Sequence, residues 1–230
     1  MCGRYTLRRA DRVKAIFDAA ITPTFEEFSE HGPRFNIAPT QLVPVVRLNR
    51  EGRRTLSSIS WGLIPSWTKS APKIKPINAR AETILSSSMY KAAMQRRRCL
   101  VPADGFYEWQ GEKPPKQPFF IHRPDDGLFA FAGLWERWKP SPDAPTEDTF
   151  TIITTTANDQ MRPIHQRMPV MLHEADFDRW LSPENDGGAV MDLLKPYDGE
   201  LESYPISTKV NSVKNDDASL ITGEEIEKSE

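Results

Sequence analysis

The sequence predicts a single antiparallel α+β domain, on three observations. Short segments rich in β-branched and aromatic residues recur along the chain between Asn, Gly and Pro. Two of the gaps, Asn49-Arg50-Glu51-Gly52 and Pro124-Asp125-Asp126-Gly127, read as hairpin turns. Helical periodicity is confined to a few stretches, so the strands lack the regular crossover helices of a doubly wound sheet. The 230 residues suffice for one substantial core, and neither a long linker nor an internal repeat divides them.

Leu7, Ala10, Val13, Ile16 and Phe17 fall at helical spacing, and Pro23 closes that first helical region. Strands are then expected over residues 42–48, 55–61, 99–102, 105–110, 119–122, 128–138, 150–156 and 169–172. Helices are expected over 88–97, 174–181 and 189–194, with Asp176 and Asp178 suiting the positive start of the second. The domain is read as residues 1–222, with 223–230 as a frayed acidic end.

Charged residues make up 27% of the chain and hydrophobic ones 38%, the balance of a soluble globular protein. Apolar runs such as 128–135 are too short to span a bilayer, so no membrane insertion is expected. Two cysteines, Cys2 and Cys99, form no disulfide framework and no signal-peptide pattern opens the chain, which predicts a reducing, cytoplasmic setting. A net charge of −2 argues against nucleic-acid binding over the whole surface. Positive residues nevertheless crowd the stretch 69–98, which suits either a local anion-binding groove or a solvated face. His31, His122, His165 and His173 are isolated, and no metal-ligand spacing or nucleotide-binding loop occurs. No metal and no cofactor is expected; the site is to be made of side chains alone.

Cys2 directly follows Met1. Once the methionine is removed, one residue carries both an α-amine and a thiol, whose ordinary pKa values are about 8 and about 8.5. Such a 1,2-aminothiol has two possible chemistries. It can attack an acyl group as an N-terminal nucleophile, or condense with an aldehyde through an imine that sulfur closes into a thiazolidine.

Four further segments place polar groups where solubility does not require them. Asn36 lies between apolar residues in Arg34-Phe35-Asn36-Ile37-Ala38-Pro39-Thr40, where an Asn also serves as an ordinary turn former. Trp61-Gly62-Leu63-Ile64-Pro65-Ser66-Trp67 leads through basic residues to Ile77-Asn78-Ala79-Arg80-Ala81-Glu82. Exposed aromatics beside cations build a single-strand groove; Trp61 reads as a core anchor and Trp67 as the stacking candidate. Glu108 lies between Tyr107 and Trp109 on an expected strand. Either it is desolvated among aromatics, as a general acid requires, or it sits on the wet face, and strand alternation alone does not decide. Arg162, His165 and Arg167 stand on a proline-bearing loop, where His165 has the chemistry of a proton carrier and the arginines equally suit surface ion pairs.

Taken in order, Met-Cys-Gly-Arg, Arg-Phe-Asn-Ile-Ala-Pro-Thr, Trp-Gly-Leu-Ile-Pro-Ser-Trp, Ile-Asn-Ala-Arg-Ala-Glu, Arg-Cys-Leu-Val-Pro-Ala-Asp-Gly-Phe-Tyr-Glu-Trp and His-Gln-Arg-Met-Pro resemble the SOS response-associated peptidase family, the abasic-site processing proteins. The resemblance runs from Cys2 to about Ile221. It implies a barrel-like β core flanked by a few helices, and removal of the chain's own Met1. It also implies a reversible thiazolidine crosslink between Cys2 and abasic sites in single-stranded DNA or at single-strand to duplex junctions. Carried over, Cys2, Asn78, Glu108 and His165 form the catalytic set, and Arg4, Asn36, Trp67, Arg80 and Arg162 line the DNA channel. Threading one strand requires no partner subunit, so a monomer is expected. The chain departs from the family in its acidic end, in the loop 140–147 and in having Thr68 after Trp67, where a second aromatic is expected.

Two other classes remain open on the residues alone. An N-terminal-nucleophile amidotransferase also begins Cys-Gly, but it needs a glutamine clamp that is absent from the sequence. A non-covalent binder of damaged or modified-base DNA would use the aromatic and basic groove with Cys2 incidental, and its binding would be reversible and sensitive to salt.

Overall fold

The structure is a computed structural model that describes residues 2–223. Its strands are β1 (Tyr5–Leu7), β2 (Ala20–Ile21), β3 (Arg34–Ile37), β4 (Leu42–Leu48), β5 (Arg54–Trp61), β6 (Asn78–Arg80) and β7 (Arg98–Ala103). There follow β8 (Gly105–Gln110), β9 (Gln117–His122), β10 (Phe129–Trp138), β11 (Glu147–Thr156), β12 (Arg167–Pro169), β13 (Met171–Leu172) and β14 (Glu202–Pro205). The α-helices are short: α1 (Ala10–Ile16), α2 (Pro23–Ser29), α3 (Lys91–Arg96) and α4 (Phe177–Leu181).

Strands β5, β4, β7, β10 and β11 pair in that order, and β11 returns to β5 through Thr149↔Ser60 and Phe150↔Trp61. The return closes a five-stranded barrel, antiparallel except at that seam, which removes the open edges a flat sheet would leave. The β4–β5 hairpin turns at Asn49–Gly52 as expected, with Gly52 at φ +73°, where glycine meets no Cβ penalty. Short β6 joins β11 in parallel, and β12 continues from β11 on its other edge.

A second sheet, β14-β9-β8-β1-β3, is wholly antiparallel. Alternation along β1 and β8 sends successive side chains to two different cores. Tyr5 packs on Trp61 and Phe131 of the barrel at 5.4 and 5.9 Å between ring centroids, and Phe106 packs on Phe131 at 5.9 Å. On the opposite face Tyr107 and Phe120 pack with Ile206, Val210 and Leu220 from the C-terminal segment. β1 and β8 touch closely because β8 begins with Gly105. A Cβ there would collide with the Phe120 ring and stand 3.0 Å from Thr6 Oγ1. Gly105→Ala is expected to destabilise the fold by about 1–3 kcal/mol through overpacking. The check is a lower urea midpoint at an unchanged m-value.

Several elements depart from their sequence expectation. Leu7 belongs to β1, and the helix expected to include it starts at Ala10. Pro23 does not merely close that region; it occupies the first turn of α2, where its missing N–H has no intrahelical partner to lose. Pro124–Gly127 is a crossover, since β9 pairs with β8 and β14 while β10 pairs with β7, β11 and β13. The expected helix over 189–194 reduces to a 3-10 turn, Met191–Leu193, and that over 174–181 splits into a 3-10 turn, Glu174–Asp176, followed by α4. Gly223, assigned to the acidic end, bridges back to Ile206; residues 224–230 of that end lie outside the described residues. Among the described residues no helix is long and apolar enough to cross a membrane.

Candidate active site

Cys2 is fully buried just ahead of β1. The register Tyr5↔Phe106 and Thr6↔Gly105 continues through the Tyr107 N–H, which donates to the Arg4 carbonyl at 3.0 Å, so the chain start runs alongside Glu108. The face left open by the sequence is thereby settled. Phe106 points to the barrel and Tyr107 away from it, so Glu108 shares the barrel side and is only 3% exposed. Its Oε1 accepts from the Trp109 N–H at 3.2 Å. Burial, and then the negative charge of Glu108, push the Cys2 thiol up to about 12. At neutral pH that thiol is protonated, and the desolvated environment disfavours its anion.

Asn78 is delivered by β6 through Ile152↔Asn78. The carbonyl of its neighbour Ile77 accepts from the Trp61 indole N–H at 3.0 Å and from the Ile152 N–H at 3.0 Å, while the Tyr90 hydroxyl donates to the Asn78 carbonyl at 3.2 Å. Tyr5, three residues from Cys2, stacks edge-on against that same Trp61. The side-chain Oδ1 of Asn78 is buried with no hydrogen-bond partner among the described residues. A dry acceptor held by rigid strands is a ready hydrogen-bond site for a bound group.

His165 closes the loop between β11 and β12. The Met161 N–H donates to Asn158 Oδ1 and the His165 N–H to the Met161 carbonyl, both at 2.9 Å, so the loop is wound on itself. The Arg167 N–H lies 2.9 Å from the His165 Nδ1 and donates to it when that nitrogen carries no proton, which orients the ring. The Arg167 carbonyl lies 3.2 Å from the same Nδ1 and can accept a proton placed there. Gln110, two residues after Glu108, donates to the Pro163 carbonyl at 2.9 Å and ties β8 to the histidine loop. Arg167 itself is structural: it binds Glu82 through two bonds of 2.6 and 3.0 Å and the Thr154 carbonyl at 2.7 Å.

The residues expected along a DNA channel divide. Trp67 is 63% exposed, Arg80 is exposed two residues after Asn78, and Arg162 is exposed beside Asp159 at 2.9 Å. Arg4 and Asn36 are placed otherwise. Arg4 shares the Tyr107 side of the sheet and donates to Asn36 Oδ1 at 2.9 Å, the Val210 carbonyl at 2.7 Å and the Asn211 carbonyl at 3.2 Å. Asn36 is fully buried in β3, and its amide donates to three carbonyls between Val210 and Asn215. Asn36 is thus neither a turn former nor a surface contact.

The basic stretch also loses members to structure. Arg98 is buried and donates to five backbone carbonyls, Arg97 pairs with Glu136 at 2.7 Å, and Lys75 pairs with Glu147 at 2.9 Å. Lys69, Lys73, Arg80, Lys91 and Arg96 stay exposed. Among the described residues no cluster of three or more His, Cys, Asp or Glu side chains could hold a metal ion. The Asp216 carboxylate holds Arg34 and two backbone N–H groups of β3, a role that no motif around it in the sequence announces.

The chain is similar to known proteins over nearly its whole length. The chain is 40% identical over 226 residues to the abasic site processing protein YoqW of Bacillus subtilis, covering 96% of this chain and 99% of that one. It is 29% identical over 228 residues to the abasic site processing protein YedK of Escherichia coli, with 96% and 99% covered. A crystal structure of a protein from Bacteroides thetaiotaomicron superposes with a TM-score of 0.87 at 26% identity, covering 97% of this chain and all of that one. A profile of the family described as SOS response associated peptidase (SRAP) matches residues 1–213. Similarity over nearly the full length, a shared fold and a matching profile lead to one assignment: the chain belongs to the SOS response-associated peptidase family.

Proposed function

We propose that this protein processes abasic sites by linking Cys2 covalently and reversibly to the deoxyribose aldehyde in single-stranded DNA. The observation that carries this reading is the burial of Cys2 beside Glu108 at the very start of the chain. A thiol held protonated there is ill-suited to begin the reaction, whereas the α-amine of a mature Cys2 is a good first nucleophile near neutral pH. Removal of Met1, which we assign to the protein itself, is therefore a precondition, because an acylated amine forms no imine.

The steps balance without a cofactor. His165 donates a proton to the ring oxygen of the closed sugar while the anomeric hydroxyl releases its own to solvent, which opens the ring to the aldehyde. The Cys2 amine adds to C1′ to give a carbinolamine, and Glu108 passes protons as water leaves and the imine forms. The thiol then adds to the imine carbon, its proton going to nitrogen, and the thiazolidine closes with net loss of one water. Asn78 orients the sugar through its unfilled acceptor. Trp67 offers a face to a base, while Arg80 and Arg162 meet phosphates along the single strand or beside a junction.

Intact mass before and after incubation with an abasic oligonucleotide tests the proposal. The expected protein mass lacks methionine, and the adduct mass is protein plus oligonucleotide minus one water. A protein that keeps Met1 and still forms that adduct, or a complex that dissociates fully on denaturation, overturns it. The second outcome would favour reversible binding through the exposed Trp67 and its basic neighbours.

A further inference from the structure

We propose that the C-terminal segment 206–221 is a positioning element for the N-terminal nucleophile, with Asp216 as its anchoring residue. The inference rests on the reading of Cys2 as the reacting group and adds what holds it in place. A chain terminus frays unless something ties it down, and a mature Cys2 is separated from β1 only by Gly3 and Arg4. Gly3 has no side chain to pack. Placement of residue 2 thus falls to the burial of Cys2 itself and to Arg4, whose carbonyl is held by Tyr107 and whose guanidinium is held by Asn36 and by the carbonyls of Val210 and Asn211.

Asn36 is in turn locked by the same segment. Its amide donates to the Val210, Ser212 and Asn215 carbonyls at 3.2, 3.0 and 2.7 Å. Asp216 fastens both to β3, an edge strand whose outer N–H groups have no neighbouring strand among the described residues. Its Oδ1 accepts from the N–H groups of Phe35 and Asn36 at 2.5 and 2.7 Å, and its Oδ2 from Arg34 Nε at 2.5 Å. The segment also reaches the strand that carries Glu108: the Trp109 indole N–H donates to Asn211 Oδ1 at 2.8 Å. One strap thus grips a residue near Cys2 and the residue after Glu108. Leu220 and Val210, both fully buried against Tyr107 and Phe120, hold the strap to the sheet. The matched family profile ends at residue 213, so Asn215 and Asp216 lie beyond it.

A positioning role separates from a binding role in the kinetics. With Asp216→Ala, the first-order crosslinking rate at saturating abasic oligonucleotide is expected to fall about 10- to 100-fold, the scale of an ångström-sized misplacement. The half-saturating oligonucleotide concentration is expected to stay unchanged, because Trp67, Arg80 and Arg162, the residues proposed to meet the DNA, lie outside the strap. Asp216→Asn keeps an acceptor for the two backbone N–H groups and is expected to fall between the two; it carries the test if the alanine variant does not fold. A folded variant with wild-type rate, or one altered only in half-saturation, overturns the inference. Wild-type protein that makes no adduct ends the covalent reading and this inference together, whereas wild-type adduct with undiminished rates in the Asp216 variants ends the inference alone.

Discussion

Cys2→Ala is expected to lose the heat-stable adduct with abasic single-stranded DNA, a fall on the order of 10³-fold or more, as when a nucleophile is deleted. The variant is more informative than a simple loss, because a chain shown by intact mass to have lost Met1 still begins with an α-amine. Borohydride added during the reaction is expected to trap the imine of the Cys2→Ala protein, while boiling without it leaves free DNA. Cys2→Ser is expected to behave likewise, its hydroxyl being too weak a nucleophile at neutral pH to close the ring. The readout is electrophoresis after boiling, with and without borohydride, alongside a Kd for the intact strand that does not change. Stable adduct from Cys2→Ala at wild-type yield would move the chemistry to a lysine amine and refute the aminothiol. The replaced side chain is fully buried but small, so the fold itself is expected to survive.

Local chemistry carried much of the site, and pairing between distant strands carried the rest. Cys2 was legible because an aminothiol is a property of one residue, and the His165 loop because prolines and polar residues interrupt two apolar strands. The ambiguity at Glu108 was physical: alternation gives two faces but does not name the inner one, and only Phe106 against Phe131 does so. Asn36 illustrates the opposite failure. Its neighbours Arg34 and Phe35 meet Asp216, some 180 positions later, and no local pattern announces that contact. The same holds for the barrel, since its closing pair, β5 with β11, joins segments separated by the whole middle of the chain. Lys75, Arg97 and Arg98 show why a count of charges overstates a groove: their partners Glu147, Glu136 and the carbonyls around α4 are distant in sequence.

Glu108→Gln preserves shape and burial while removing charge, so its expected effects separate chemistry from packing. The crosslinking rate at saturating DNA is expected to fall about 10²- to 10⁴-fold, the usual contribution of a positioned proton carrier. Because a proton carrier serves formation and release through the same transition states, reversal is expected to slow by the same factor, with the final extent of adduct unchanged. A second consequence has the opposite sign. The Glu108 charge is, after burial, the main influence raising the Cys2 thiol toward about 12, so neutralising it is expected to move thiol ionisation to lower pH. Alkylation of Cys2 as a function of pH, measured without DNA, reads that shift directly. A residue that merely fills space would leave the titration where it is and alter yield only in step with unfolding. A variant that lowers the final extent of adduct by speeding release while leaving the formation rate intact would instead assign Glu108 to adduct stabilisation and leave the proton transfers to His165.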